Sequence, residues 1–382
     1  MSTPALIHDR ILFYEAKSTP VSQTEIAIPS RWATNIVNTL PLDGQRFAAI
    51  VGAPRCGTTT LARYLSAHGD VQFSTVKEPH FFSQYDLTSL EDSELKATVE
   101  NHYLARYFPG ASPFAILMEG SVTYLYAADQ IRAVLRVWPD ARFIIAVRDP
   151  FAMLPSLHQR LLLLGDETVA DFAKAWALSP IRAQGKRVPR TCVDPRWLQY
   201  PEIGKLGKYV QKFFDVVGRE RCLVVVLDDQ IADPAATYRQ VLSFLDLPDD
   251  GRRDFPRHRG SRGFKLGWLQ RLLKRPPIIT RSILAGENFR LRLKDIDHAR
   301  TDRWFVQAVL KLHAKLLDWN EIPVPPAVLA PEMRDVVRDA LRDDVVKLAK
   351  LLRRDLSHWL GGLPEAAAHL TEKARPDPSA AD

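Results

Sequence analysis

The sequence predicts an α/β fold: a parallel sheet flanked by helices on both faces, with a P-loop-like turn at the end of one strand. Three observations carry the prediction. Short, continuous apolar runs recur at 47–51, 143–147 and 222–227, the pattern of strands buried on both faces. Segments of helical periodicity separate them, at 61–68, 128–138, 150–164, 166–178, 202–217 and 234–245. The first run passes directly into a glycine-bearing loop and then a helix. Strands alternating with helices favour parallel pairing, because each crossover lays its helix on a sheet face.

Around this centre the chain is less regular. Residues 1–44, punctuated by Pro4, Pro20, Pro29 and Pro41, read as an N-terminal arm. Residues 45–363 read as the main domain, with 249–263 as a charged loop and 264–300 as a basic lid or insertion. Helices are expected at 302–317 and 331–360. The Ala-, Pro- and Asp-rich tail, 364–382, is expected to be disordered.

Composition narrows the function. At 382 residues and 46% hydrophobic, the chain can bury a sizeable core. A net charge of +7 suits an anionic ligand, but no Lys/Arg run dominates any segment, which argues against a nucleic-acid partner. Cys56, Cys192 and Cys222 are odd in number and far apart, unlike a disulfide framework or a zinc site. The first ten residues carry charges where a secretory leader has its apolar run, and no apolar stretch approaches a membrane span. The expectation is a soluble, cytoplasmic protein. Oligomeric state is not legible.

The chemistry starts at the first loop, Gly52-Ala53-Pro54-Arg55-Cys56-Gly57-Thr58-Thr59-Thr60. A loop between a buried strand and a helix start offers free N–H groups and the positive end of a helix dipole to an anion. Gly52 and Gly57 permit close backbone approach, and the three threonines add hydroxyl donors. The glycine spacing matches a nucleoside-triphosphate loop, but Thr58 stands where that loop has lysine, and the cation, Arg55, comes earlier. This suits a terminal phosphate or phosphosulfate better than the β/γ-phosphates and magnesium. Cys56 reads as a small filler, not a nucleophile.

These residues resemble the 5'-phosphosulfate loop of the sulfotransferases that use 3'-phosphoadenosine 5'-phosphosulfate, most closely the bacterial and heparan-sulfate branch. Lys77-Glu78-Pro79-His80-Phe81-Phe82 resembles that family's general-base segment. Arg142 to Pro150, with Ser156 eight residues after Arg148, resembles its 3'-phosphate motif. Tyr200 with Gly204, the 222–247 stretch and Arg354 to Trp359 continue the resemblance, which covers about 46–360. Two positions depart from it. Gly120, in Glu119-Gly120-Ser121-Val122-Thr123-Tyr124, replaces a frequent lysine, and Leu206 stands where an aromatic is common.

The resemblance implies a sulfotransferase fold and transfer of a sulfuryl group to an acceptor hydroxyl or amine, with no metal. The implied acceptor is a carbohydrate, with a glycolipid or small natural product behind it. Glu78 is the implied general base and His80 its rival. Arg55 and Lys77 would stabilise charge on the leaving oxygen. Arg55, Cys56, Gly57, Thr58, Thr59 and Thr60 would hold the 5' end of the donor, Arg148 and Ser156 its 3'-phosphate, and Tyr200 its adenosine. Each residue also has a plainer reading. For Glu78 it is the less favoured one, a surface carboxylate paired with Lys77, and for Arg148 a partner of Asp149. Tyr200 reads as a core tyrosine, and Arg257, Arg259 and Arg262 as a solvated loop.

Two rival functions remain open from sequence. An ATP-dependent kinase-like enzyme would use Asp228 and Asp229, at the end of the 222–227 run, to hold magnesium. A basic membrane-surface binding protein would use 265–281, where Trp268, Leu269, Leu272 and Leu273 interleave with Lys274 and Arg275. A lid over the acceptor cleft is the plainer reading of that stretch.

Overall fold

A computed structural model describes residues 42, 44–110, 112, 115–256, 262–274 and 304–360, with side chains in the last segment from 311 onward. Nearly all of the N-terminal arm, Arg257 and Arg259, residues 275–303 and the tail therefore lie outside the described residues. The described residues group into two compact units. The larger comprises those within 37–155, 201–259 and 328–382, the smaller those within 156–200 and 260–327.

The larger unit is built on five parallel strands in the order β2–β3–β1–β4–β5. These are β1 Phe47–Gly52, β2 Val71–Phe73, β3 Ile116–Gly120, β4 Arg142–Val147 and β5 Cys222–Val226. The expected α/β architecture is thus present. β1 is central and buried along its whole length. It pairs with β3 from Phe47↔Leu117 to Ile50↔Gly120, and with β4 from Ala48↔Arg142 onward.

Strand alternation sorts the side chains between two faces. Ala48, Ile50, Met118, Ile144 and Val225 pack with Leu61 and Leu65 of helix Thr58–Leu65 and with Val241 and Leu242 of helix Pro234–Phe244. On the other face Phe47 stacks on Trp138 at 4.4 Å, and Phe143 meets Phe213 of helix Leu206–Val217 edge-on at 5.3 Å.

Three of the five strands are legible as apolar runs; β2 and β3 are not, since one is three residues long and the other ends in Glu119 and Gly120. Other boundaries shift for local reasons. The expected helix 128–138 is a 3₁₀ stretch, Tyr124–Ile131, followed by an α-helical Arg132–Val137. Asp171 accepts the Lys174 N–H at 2.8 Å and starts helix Phe172–Ala177 later than the periodicity implies. Helix Pro331–Leu352 stops where Arg353 turns left-handed, and a 3₁₀ turn, Ser357–Leu360, replaces its predicted end.

In the smaller unit β6, Arg262–Phe264, pairs antiparallel with β7, Glu321–Pro323. Arg262, expected in a solvated loop, is thus a strand residue paired with Glu321 at 3.1 Å. Part of the basic stretch 265–281 forms helix Gly267–Lys274, with Trp268 and Leu272 exposed; 275–281 lie outside the described residues. Asn320 ties this helix down, accepting from the Leu266 N–H at 2.9 Å and donating to Gln270 at 3.0 Å. A buried ion pair, Arg182 to Glu167 at 2.6 and 2.8 Å, also receives the Tyr200 hydroxyl at 2.9 Å. No helix among the described residues is long and apolar enough to cross a membrane.

Helix Leu206–Val217 approaches helix Pro331–Leu352 closely at Gly207, where a Cβ would stand 2.4 Å from the Asp344 carbonyl oxygen and 2.9 Å from the Leu348 nitrogen. Backbone cannot yield as a side chain does, so Gly207→Ala is expected to destabilise the fold by about 1–3 kcal/mol in urea denaturation. An unchanged midpoint would contradict this packing.

Candidate active site

In an open parallel sheet, ligands bind at the carboxyl ends of the strands. Here those ends carry most of the residues singled out from sequence: the 52–57 loop after β1, Lys77–His80 after β2, Glu119–Thr123 at the end of β3, and Arg148 after β4. All belong to the larger unit, whereas Ser156 and Tyr200 fall in the smaller one.

The loop after β1 is shaped by left-handed backbone. Arg55 stands at φ 63° and Gly57 at φ 82°. A Cβ on Gly57 would lie 2.6 Å from Gln230 Oε1 and 2.7 Å from Leu227 Cδ1, so both conformation and space demand glycine. The Ala53 N–H donates to the Ala146 carbonyl at 2.6 Å, anchoring the loop to β4. The first bonds of helix Thr58–Leu65 run from the Thr60 and Leu61 N–H groups to the Gly57 carbonyl, so the N–H groups of Thr58 and Thr59 precede its internal ladder. Arg55 and Thr59 are exposed at the rim, Thr60 is half-buried, and Thr58 is buried. Its geometry and charge suit an anion. Cys56 is fully buried within it, and burial pushes its thiol up to about 12 against Arg148 and Arg55. It stays protonated at neutral pH, as a filler would.

Arg148 directly follows β4 and donates to the Arg55 carbonyl at 3.2 Å, bringing its guanidinium to the loop. Its neighbour Asp149 accepts the Phe151 N–H at 2.9 Å and so starts helix Pro150–Leu164. Arg148 therefore faces the loop while Asp149 serves as a cap. Ser156 is buried on that helix. Tyr200 is fully buried, its hydroxyl held by Glu167, which is the core position.

After β2 the chain turns under β3. The Gly120 N–H donates to the Lys77 carbonyl at 3.2 Å. A Cβ at Gly120 would make ordinary contacts of 3.6–3.8 Å, so the glycine in place of lysine is not forced by packing. Lys77 Nζ lies 2.5 Å from Glu78 Oε1, and His80 Nε2 lies 3.6 Å from Glu78 Oε2. The pairing with Lys77 expected on the plainer reading is real, but Glu78 faces two groups, not one. Burial alone would raise the Glu78 carboxyl; Lys77 and His80 outweigh it and hold the group well below the usual carboxylate range.

Asp228 and Asp229 are both engaged from the C-terminal segment. Asp228 accepts the Trp359 indole N–H at 3.0 Å and lies 3.3 Å from His358 Nε2, while Asp229 takes both arms of Arg354. Two other residues had no role assigned from sequence. Gln230, 5% exposed, leaves both amide atoms without a hydrogen-bond partner among the described residues and packs on Gly57. Glu119 is fully buried beneath His80 and accepts three hydroxyls. No spacing rule announces either; each is buried by residues distant in the chain.

A parallel α/β sheet with an arginine-bearing loop at the carboxyl end of its central strand has the geometry of an anion site. Comparison sharpens this. Residues 48–179 match the model of the sulfotransferase family. The chain is 26% identical over 208 residues to heparan sulfate glucosamine 3-O-sulfotransferase 6 of Mus musculus, the match covering 52% of each chain. It is 20% identical over 259 residues to carbohydrate sulfotransferase 15 of Rattus norvegicus, covering 52% of this chain and 43% of the other. The chain thus spans about half the length of the curated relatives it matches. A sulfotransferase crystal structure from Alicyclobacillus acidocaldarius superposes with a TM-score of 0.53 at 21% identity, covering 82% of this chain and 98% of that one, which establishes the shared fold. The similarity to the sulfotransferase family thus lies in residues 48–179 of the chain.

The Asp149 carboxyl, pushed up to about 6 by burial, makes stability depend on pH. The folded chain keeps a proton that the unfolded chain releases from about pH 4 upward, so this group costs stability as pH rises to about 6. Asp149→Asn retains an acceptor for Phe151 and removes the charge. Its melting temperature is expected to exceed the wild type's at about pH 8 and to equal it at about pH 3.5. A gain of the same size at both pH values would show that ionisation is not the cause.

Proposed function

We propose that the chain transfers a sulfuryl group from 3'-phosphoadenosine 5'-phosphosulfate to a carbohydrate hydroxyl. One observation carries the reading: the anion loop, Arg148 and the Lys77–Glu78–His80 cluster all sit at the carboxyl edge of one sheet. The names of the relatives, which include a heparan sulfate glucosamine 3-O-sulfotransferase and a carbohydrate sulfotransferase, support a glycan acceptor. Lipid-linked glycans stay within the same class. The missing loop lysine disfavours ATP as donor.

In this reading the loop N–H groups, Thr58–Thr60 and Arg55 hold the donor's 5'-phosphosulfate, and Arg148 its 3'-phosphate through charged hydrogen bonds. Glu78 takes the acceptor proton as the acceptor oxygen bonds to sulfur. The bond from sulfur to the bridging phosphate oxygen breaks, and its electron pair leaves with the bisphosphate. Arg55 and Lys77 meet that growing charge. Lys77 has two anions to serve, the Glu78 carboxylate and the leaving oxygen. Movement from the first to the second frees Glu78 as a base when the proton must be taken. His80, beside Glu78, is the alternative base.

Radiolabelled donor offered with a panel of glycans, free and lipid-linked, tests the activity directly. Glu78→Gln is expected to bind the bisphosphate product as the wild type does and to lose transfer by about a hundredfold or more. Full activity would move the base to His80. Arg148→Ala is expected to weaken bisphosphate binding by about tenfold or more, with little effect on turnover at saturation. Equal affinity would remove Arg148 from the donor site. Lys77→Ala takes away a cation that lowers the Glu78 pKa, so the acid limb of the rate–pH profile should move to higher pH. A limb that stays in place or moves down would contradict the pairing.

A further inference from the structure

Glu119 is 0% exposed, and its three partners are hydroxyls, not cations. Tyr103 and Tyr124 donate to Oε1 at 2.7 Å each, and Ser121 donates to Oε2 at 2.5 Å. A buried carboxylate without a cation is costly, and an apolar residue would fill the space more cheaply. Two of these hydroxyls also do something else. Ser121 Oγ accepts the His80 N–H at 2.9 Å, and the Tyr124 hydroxyl oxygen accepts the Phe82 N–H at 3.3 Å. Each hydroxyl has one proton. Glu119 takes both, which leaves the oxygens turned as acceptors toward the backbone of 80–82.

That backbone needs holding. His80 stands at φ 54°, ψ 15°, a left-handed conformation uncommon outside glycine. Its carbonyl accepts the Ser83 hydroxyl at 3.0 Å, and its Nδ1 lies 2.9 Å from Thr123 Oγ1, which contacts Ser83 Oγ at 2.6 Å. With N–H, carbonyl and one ring nitrogen engaged, Nε2 is the atom left facing Glu78. Because Glu119 lies opposite Ala49 of β1, the clamp is referenced to the strand that carries the anion loop.

We propose that Glu119 is a positioning residue for transfer: acting through Ser121 and Tyr124, it fixes the His80 backbone and so the placement of His80 against Glu78. The proposal rests on the sulfotransferase reading of this site. Glu119→Gln keeps size but offers an amide donor where three hydroxyls now donate, so at least one hydroxyl must reverse.

The test compares full-length wild type with Glu119→Gln, Ser121→Ala, the double variant and Tyr103→Phe. Turnover and donor KM are measured with radiolabelled donor, bisphosphate affinity by calorimetry, and amide exchange of 80–84 by mass spectrometry. Glu119→Gln and Ser121→Ala should each lower kcat by about tenfold to a hundredfold with donor KM and bisphosphate affinity unchanged, and should speed exchange at 80–84. The double variant should lose little more than either single one, since both act through one path. Tyr103→Phe, whose hydroxyl has no contact with the 80–82 backbone, should lose least. If Glu119→Gln does not fold, Ser121→Ala and Tyr124→Phe, each removing one relay hydroxyl, carry the same comparison. Unchanged exchange or a wild-type kcat in the folded relay variants overturns the proposal, as does an additive double variant. A wild type that binds no bisphosphate and transfers nothing is a different failure, of the sulfotransferase reading itself.

Discussion

Everything in the larger unit depends on β1 being paired in parallel on both sides. Its backbone is bonded to β3 and β4, and its side chains are buried on both faces, so neither end can shift without breaking two ladders. Parallel pairing points every strand the same way, so residues far apart in sequence arrive at one edge: the loop after β1, Lys77 to His80 after β2, Ser121 after β3 and Arg148 after β4. On the proposed function, the sheet fixes where the donor's anion is held and where the base waits. Sulfuryl transfer would then need little more than correct placement, since, like phosphoryl transfer, it is driven by positioning and charge stabilisation.

Much of this could be read from the sequence, and the physical reason is burial. Strands covered on both faces must be apolar throughout, and 47–51, 143–147 and 222–226 announce themselves for that reason. β2 is too short for any pattern, and β3 ends in a carboxylate that only makes sense once three hydroxyls surround it. The Glu119 site could not be assembled in advance, because Tyr103 comes from a helical segment, Val99–Leu104, for which the sequence pattern predicts no element. Gln230 was likewise invisible: its place against Gly57 exists only when β5 and β1 share a sheet. Arg55, Lys77, Glu78, His80 and Arg148 were legible because each is tied to a local loop or strand end.

The electrostatics are arranged in two layers. At the edge, Lys77 and His80 keep Glu78 ionised against the pull of burial. Beneath it, burial raises Glu119, and the hydroxyls of Ser121, Tyr103 and Tyr124, with His80, work against that rise. In the proposed mechanism the upper layer sets charge and the lower layer sets geometry, so that Lys77 exchanges partners while the backbone of His80 stays in place. Asp228 and Asp229 take no part in this, being engaged with Trp359 and Arg354.

As proposed, the loop after β1 and Arg148 form a site for a 3',5'-bisphosphorylated adenosine. Isothermal calorimetry of the whole chain with adenosine 3',5'-bisphosphate and with ATP, each with magnesium and with EDTA, tests it most directly. Micromolar binding of the bisphosphate, indifferent to EDTA, is expected, with weak binding of ATP. Magnesium-dependent ATP binding without binding of the bisphosphate would contradict it.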